Sequence, residues 1–331
     1  MVRPLLARLD VPEETLSGPS SAPLRLPDGA TDYLRPDHPR LAELRERYRR
    51  FNAPVTQHSW WSDDFVGREV DLRAFRGDGA YVWQLRDFNT GVHYIATAYY
   101  TKEIDRLGLL RSLEEDDLFG ARTHRFGESL TISRDLLDSV LELNFLDRHT
   151  GLSGWNSATL LDIGAGYGRL AYRAARGLPN LNRILCTDAI AESTFLCEYY
   201  LRFRGVDAIA ETVPADAIVD RLANVHVDIA TNVHSFSECS LGTVTWWLDL
   251  VASRDIRFLM IVPNALDNGG NQLLAREADG SLVDFLPEIV KRGYTLVVKE
   301  PKYLDPLVQR HGVTPTHYWL FRREESQGTE S

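Results

Sequence analysis

Two acids and three glycines carry the clearest chemical signal in this chain of 331 residues. They lie in "TLLDIGAGYGRLAYRAA", Thr159 to Ala175, and in "RILCTDA" shortly after it. Gly164, Gly166 and Gly168 read G-x-G-x-G, and Arg169 stands where a nicotinamide-binding turn has its third glycine. Asp162 precedes the first glycine by two positions, where a carboxylate is awkward beside a pyrophosphate and suits an ammonium or sulfonium group. The glycines permit close backbone approach, and the N–H groups that open the following helix could take a carboxylate. Asp188 ends the next strand, where an acid can accept both hydroxyls of a ribose. A zwitterionic amino acid joined to a nucleoside matches the set. A glycine turn alone is weak evidence, and an ordinary strand–helix turn with surface acids is the plain alternative. The combination on consecutive strand ends argues against it.

Placing those groups side by side requires a parallel sheet. The strands read "ATLLDIG", "RILCTDA", "DAIAETV", "VDIATNV", "RFLMIVP", "YTLVVKE" and "HYWLFRR", alternating with helical stretches up to the last pair. The connection between those last two lacks a convincing crossover helix, so they are expected to pair antiparallel. The fold class is therefore α/β, a seven-stranded Rossmann-like sheet with an antiparallel last strand. A smaller mixed or helical subdomain precedes it. Residues 1–30, rich in Pro, Ser and Gly, read as a poorly ordered lead-in and 324–331 as a tail. Between them lie a covering subdomain, 31–150, and the core, 151–323, divided at "TGLSGWNSA".

In the covering part, Asp37 to Phe51 reads as a surface helix, its arginines forming a solvated face. "HSWWSDDFV" has strand-like aromatic content. "AYVWQLRDF" with "VHYIATAYYTKEI" begins strand-like and either stays so or turns helical. "EEDDLFGARTHRFGESL" reads as a loop with glycine turns. Ser133 is expected to cap a helix, "SRDLLDSVLELNFLDRH", with Leu136, Leu137, Val140, Leu141 and Leu143 as its apolar stripe. Trp60, Trp61, Tyr81, Trp83, Tyr94, Tyr99 and Tyr100 are either the core of this part or faces on which a sugar or an apolar skeleton stacks.

"LLDIGAGYGRL" with "TDA" resembles motif I and the following acidic strand end of class I S-adenosylmethionine-dependent methyltransferases. More of the chain, "EDDLFGARTHRFGESLTISRDLLDSVLELNFL" through "TNVHSFSE", is similar to the sugar O-methyltransferases of bacterial natural-product gene clusters. The resemblance implies S-adenosylmethionine as cofactor and S-adenosylhomocysteine as product. It implies that Gly164, Ala165, Gly166 and Gly168 hold the methionine part, that Asp188 with Ala189 binds the ribose side, and that Asp162 sets the loop or faces the amine. It also implies a carboxylate for the adenine amino group at Asp216, which could equally be a helix N-cap. The tail of the fourth sheet strand, with Asn232, His234, Ser235 and Glu238, is expected to face the methyl group. That tail reads "HSFSEC" and departs from the family pattern.

Methylating an alcohol needs alignment and a base, together a large share of the rate. His234 is the candidate base, because imidazole is half-neutral near physiological pH. Glu238, one helical turn on, would orient it or bind a substrate hydroxyl. A hydrogen-bonded strand-end histidine and an ordinary helix acid are the plain alternatives. Arg134, opening the "SRDLLDS" helix, is a further candidate for the cofactor carboxylate, against capping and surface pairing. No metal is expected; Asp267 with Asn268 is the place to look for one.

Charge and composition narrow the partners. A net charge of −10 argues against a nucleic-acid backbone. No apolar run approaches the roughly 20 residues that span a bilayer, and the N-terminus shows no secretory signal. Cys186, Cys197 and Cys239 lack metal spacing and read as buried thiols of a cytoplasmic protein. The expected partner is a small molecule, a glycosylated natural product; a homodimer stays open. The rivals are a methyltransferase for a non-sugar hydroxyl or amine, a cofactor-retaining protein without turnover, and, distantly, a nicotinamide oxidoreductase.

Overall fold

The computed structural model describes residues 24–57, 59–77, 79–82, 90–126, 130–265 and 268–324. The first part contains α1 (Ala30–Tyr33), α2 (Pro39–Arg50), α3 (Asp63–Glu69), α4 (Thr90–Ile104) and α5 (Leu109–Ser112). The antiparallel pair β1 (Thr123–Phe126) and β2 (Leu130–Ser133) follows, then the long helix α6 (Arg134–Thr150). Ser133 Oγ accepts the Leu136 N–H and caps α6 as expected, and Gly151 at φ +70 ends it. Helix, not strand, forms over "VHYIATAYYTKEI". Tyr94, Ile95, Ala96, Thr97 and Ala98 are all buried, so this helix is covered on every side and carries no readable stripe. "HSWWSDDFV" contains the start of α3, capped by Ser62, and part of the expected glycine loop is instead β1 and β2.

The second part runs β3 (Ala158–Ile163), α7 (Arg169–Gly177), β4 (Leu181–Thr187), α8 (Ala191–Phe203), β5 (Ala210–Thr212), α9 (Ile218–Leu222), β6 (Ile229–Val233), α10 (Leu241–Ser253) and β7 (Phe258–Val262). A small ribbon, β8 (Leu274–Arg276) with β9 (Leu282–Asp284), precedes α11 (Leu286–Lys291), β10 (Tyr294–Pro301), α12 (Pro306–His311) and β11 (His317–Arg323). All seven expected strands join one sheet, ordered β5-β4-β3-β6-β7-β11-β10. The pairings from β5 to β7 are parallel, and β11 runs antiparallel between β7 and β10. This is the seven-stranded Rossmann-like sheet with an antiparallel last strand expected above. The chain leaves β3 toward β4 and returns to β6 on its other side, so a crevice opens at the carboxyl ends of β3 and β6.

Alternation along β3 decides what faces what. Leu160 packs into one apolar layer, and Leu161 and Ile163 into the opposite one. Asp162 therefore shares the Leu160 side, which α6 and α7 cover. The Leu160 layer is continuous with Ala30, Leu41 and Leu44 of the first part, so the residues before 150 share their core with the sheet. Arg25 bridges to Leu118 and Ala30 is fully buried, so residues 24–30 pack as part of the fold; residues 1–23 and 325–331 lie outside the described residues. The arginines of α2 are not simply a solvated face. Arg40 reaches Glu198, Arg45 reaches Glu192 and Arg47 reaches Asp216, clasping α2 to the sheet half.

Cys186 and Cys197 are buried, Cys239 is half-buried, and all three are free thiols. Among the described residues no helix is long and apolar enough to cross a membrane.

Candidate active site

The glycine turn is pinned to the end of β4, where the Gly164 and Ala165 N–H groups both donate to Thr187 O at 2.9 and 3.1 Å. Gly164, at φ +69, has no room for a side chain, since a Cβ there would come within 2.4 Å of the Ser235 side chain. Gly166, Ala165 and Gly164 line a cavity with Asp162, Asp188, Ala189, His234, Ser235 and Glu238. The cavity measures about 140 Å³. That holds a group the size of benzene, so a larger ligand needs the aromatic walls Trp61 and Tyr81, from the first part, to give way. The Tyr81 ring lies over Gly166 with its hydroxyl 3.0 Å from Ser193 Oγ.

Three carboxylates meet in this cavity, and among the described residues none has an ion-pair partner. Asp162, buried, accepts the Thr231 hydroxyl at 2.9 Å, its neighbour in register on β6, and burial pushes its pKa up to about 7. Asp188, half-buried, accepts the N–H groups of Ile190 at 2.9 Å and Gly166 at 3.0 Å; burial still pushes it up to about 6. Glu238, half-buried, accepts the Trp61 indole N–H at 2.7 Å, and burial pushes it up to about 7. Arg169 also lines the cavity, but its guanidinium is spent on both oxygens of Glu142 at 2.9 Å and on Ser139 at 2.8 Å. Among the described residues, then, the three acids of the site have no cation paired with them, and the nearest guanidinium is committed elsewhere.

His234 and Glu238 do not pair. A single 3₁₀ turn, Ser235–Glu238, replaces the expected α-helical turn, and the Glu238 carboxylate faces Trp61 and Asn264 instead of the imidazole. His234 holds φ +68, a left-handed conformation costing a non-glycine residue about 1–3 kcal/mol. Its Nδ1 is sealed from solvent without a hydrogen-bond partner among the described residues. Burial, helped by the Arg134 charge, pushes the imidazole down to about 3. It is neutral at physiological pH and a weak base, which fits the proton-accepting role expected of it poorly.

Four further expectations change. Asp216 lies away from the cavity, held bidentately by Arg47 at 2.8 and 2.9 Å. Asn232 is structural: it donates to Ile163 O and accepts the Phe236 N–H, both at 2.9 Å, stitching β3 to the turn after β6. Gly168 does not line the cavity; a Cβ there would meet Cys197 and Leu201 of α8 at 3.1 Å, so it serves helix packing. Arg134 lies along its own helix to Asp138 at 3.3 Å and stands outside the cavity lining. Of the aromatic set, Trp61 and Tyr81 line the cavity, Tyr94 and Tyr100 are core, and Trp83 lies outside the described residues. Among the described residues no cluster of His, Cys, Asp or Glu could hold a metal ion. Asp267 is outside them, and Asn268 bonds to Gln272.

What the sequence did not reveal is how the turn is held from behind. Asp135, Asp138, Ser139 and Glu142 form a polar stripe on buried α6 at helical spacing. Asp135 takes the hydroxyl of Tyr167, inside the glycine turn, together with buried Arg76 at 3.3 Å. Asp138 takes Lys302 at 2.5 Å, and Ser139 and Glu142 take Arg169. The spacing of the polar residues was readable; their partners were not.

Neither a family model nor a curated protein matches this chain. Among solved structures, the cyclase SpnF is 16% identical with a TM-score of 0.40, covering 61% of this chain and 85% of that one. Precorrin-6y C5,15-methyltransferase from Geobacter metallireducens GS-15 is 16% identical with a TM-score of 0.36, covering 56% and 87%. Mitomycin 7-O-methyltransferase MmcR is 18% identical with a TM-score of 0.37, covering 57% of each. Likeness at these scores bears on neither activity nor substrate.

Proposed function

We propose that this protein is an S-adenosylmethionine-dependent O-methyltransferase acting on a hydroxyl of a deoxysugar carried by a secondary metabolite. The observation that carries the reading is the cavity at the switch point, where Asp162, Asp188 and Glu238 meet without an ion-pair partner among the described residues. A ligand bearing an ammonium, a sulfonium and a ribose diol supplies what those groups lack, and the glycine turn leaves room for its backbone-hugging end. Bound S-adenosylmethionine would supply an electrophilic methyl group on a sulfonium. Asp188 would take the ribose hydroxyls, Asp162 the ammonium, and the first N–H groups of α7, which lack a side-chain cap, the carboxylate.

Glu238 accepts the proton that the acceptor hydroxyl gives up as its oxygen takes the methyl group. A carboxylate near 7 is matched to that task at neutral pH, and such a base contributes about 10²–10⁴ in rate. Trp61, bonded to Glu238, offers an aromatic face beside the reacting hydroxyl. The sugar assignment is supported by the resemblance of the segment through "SRDLLDS" and by that aromatic wall. The test is incubation with S-adenosylmethionine and a panel of glycosylated natural products, followed by mass spectrometry. A mass gain of one methylene on the sugar fragment is expected. Gain on the aglycone alone would overturn the sugar assignment, and calorimetry showing no S-adenosylhomocysteine binding would overturn the whole reading.

A further inference from the structure

A second cavity, of about 630 Å³, opens between α2, α3 and the start of α8. It shares Trp61, Ala189 and Ile190 with the first cavity, so the Trp61 indole stands as a partition between the two. The same indole donates to Glu238 at 2.7 Å, which puts the proposed base directly behind that partition. We propose that this second cavity binds the acceptor, and that its ligand is an uncharged amphiphile, a hydroxylated ring on a lipophilic skeleton. The inference rests on the methyl-transfer reading and adds where the acceptor sits and what it is.

Size and wall chemistry both point that way. Sites for drug-sized ligands measure about 300–1,000 Å³, and the second cavity falls in that range. Val66, Val70, Leu72 and Ile190 give it an apolar side. The lining also carries both signs of charge in equal number, Arg45 and Arg49 against Asp63 and Glu192; Arg45 pairs with Glu192 at 2.7 Å, and Arg49 pairs with Glu46. An anion entering would meet Asp63 and Glu192, and a cation would meet Arg45 and Arg49, so neither gains. Neutral hydroxyls can bond to both members of such pairs without separating them. The rim is open at Asp63 and Gly67, both exposed, leaving space for a skeleton that protrudes. Moving the Trp61 indole, which the small first cavity already requires of a large ligand, would join the two spaces and bring a hydroxyl to Glu238.

Para-nitrophenyl rhamnoside, a deoxysugar on an apolar ring, is the probe, titrated by calorimetry with and without saturating S-adenosylhomocysteine. Val66→Trp and Gly67→Leu both add bulk at the cavity lining, and the second is sterically free, since a Cβ at Gly67 meets nothing within 4 Å. Each is expected to weaken rhamnoside binding at least about tenfold, or some 1.4 kcal/mol. S-adenosylhomocysteine affinity should stay unchanged, which also certifies the fold. Equal rhamnoside binding by all three proteins, or none by the wild type, would overturn the proposal. A parallel loss of S-adenosylhomocysteine affinity would assign the cavity to the donor and overturn it too. Failure of the methyl-transfer reading shows separately, as wild type that never binds S-adenosylhomocysteine.

Discussion

Replacing Asp162 by asparagine isolates the electrostatic core of the site. In the unliganded fold this carboxyl titrates near 7 because burial strips its water, about three units above an ordinary aspartate. Between about pH 4 and 7 the native state therefore holds a proton that the unfolded chain has lost. Stability from that proton is fully present below the window and is lost as pH rises through it, on the order of 4 kcal/mol in total. An ammonium placed against Asp162 returns it toward its ordinary value. Donor affinity should then fall about tenfold from pH 8 to pH 6, and binding at pH 7 should release about half a proton from this group. Calorimetry at pH 6, 7 and 8 in phosphate and in Tris separates proton release from binding heat. Asp162→Asn should bind the donor more weakly, release fewer protons, flatten the pH dependence, and melt higher than wild type at pH 8 without ligand. Asp188 and Glu238 also titrate in this range and remain in the variant, so the difference between the two proteins is the Asp162 share. S-adenosylmethionine and S-adenosylhomocysteine should release equal numbers of protons, since both carry the ammonium. Identical proton release by wild type and variant would refute the assignment.

Glu238→Gln should lower the rate on a hydroxyl acceptor about 10²–10⁴-fold and abolish the rise in rate near pH 7; His234→Gln should keep that rise, as pH–rate profiles will show. Gly164→Ala should lose donor binding and about 1–3 kcal/mol of stability, with Ser235→Gly in the same chain recovering part of both, by calorimetry and urea melts. Asp138→Ala leaves the Lys302 ammonium buried against carbonyls alone and should cost about 3–5 kcal/mol by urea denaturation, whereas Asp138→Leu with Lys302→Met should come close to wild type. Asp216→Ala should cost less than about 1 kcal/mol, because its pair with Arg47 is partly exposed, and should leave donor affinity unchanged.

The strand–turn–helix at Asp162 to Arg169 was legible because its signals are local: a short apolar run, glycines at fixed offsets, an acid at the next strand end. The antiparallel β10–β11 pair followed from the length and character of its connection. Side-chain partners across long sequence separations left no such mark. Nothing in "PADAI" announces that Asp216 is claimed by Arg47, far earlier in the chain, and β5 is too short for its register to place the acid. The placement of His234 and Glu238 turned on one backbone angle. With His234 at φ +68 the spacing argument for a shared helical face fails, and burial then shifts the imidazole down and the carboxyl up. Trp61 and Tyr81 were visible as aromatics, but which ones reach the cavity depends on how the first part docks.

The stripe on α6 limits what recombination can do with this chain. Asp135, Asp138 and Glu142 each hold a basic or phenolic group that belongs to a different stretch of sequence, from Arg76 to Lys302. Grafting a foreign N-terminal half onto the sheet would bring a helix without those acids and strand Arg169 and Lys302 inside a dry interface. The two halves therefore fold as one unit, and an exchange of the first half has to carry the α6 acids with it.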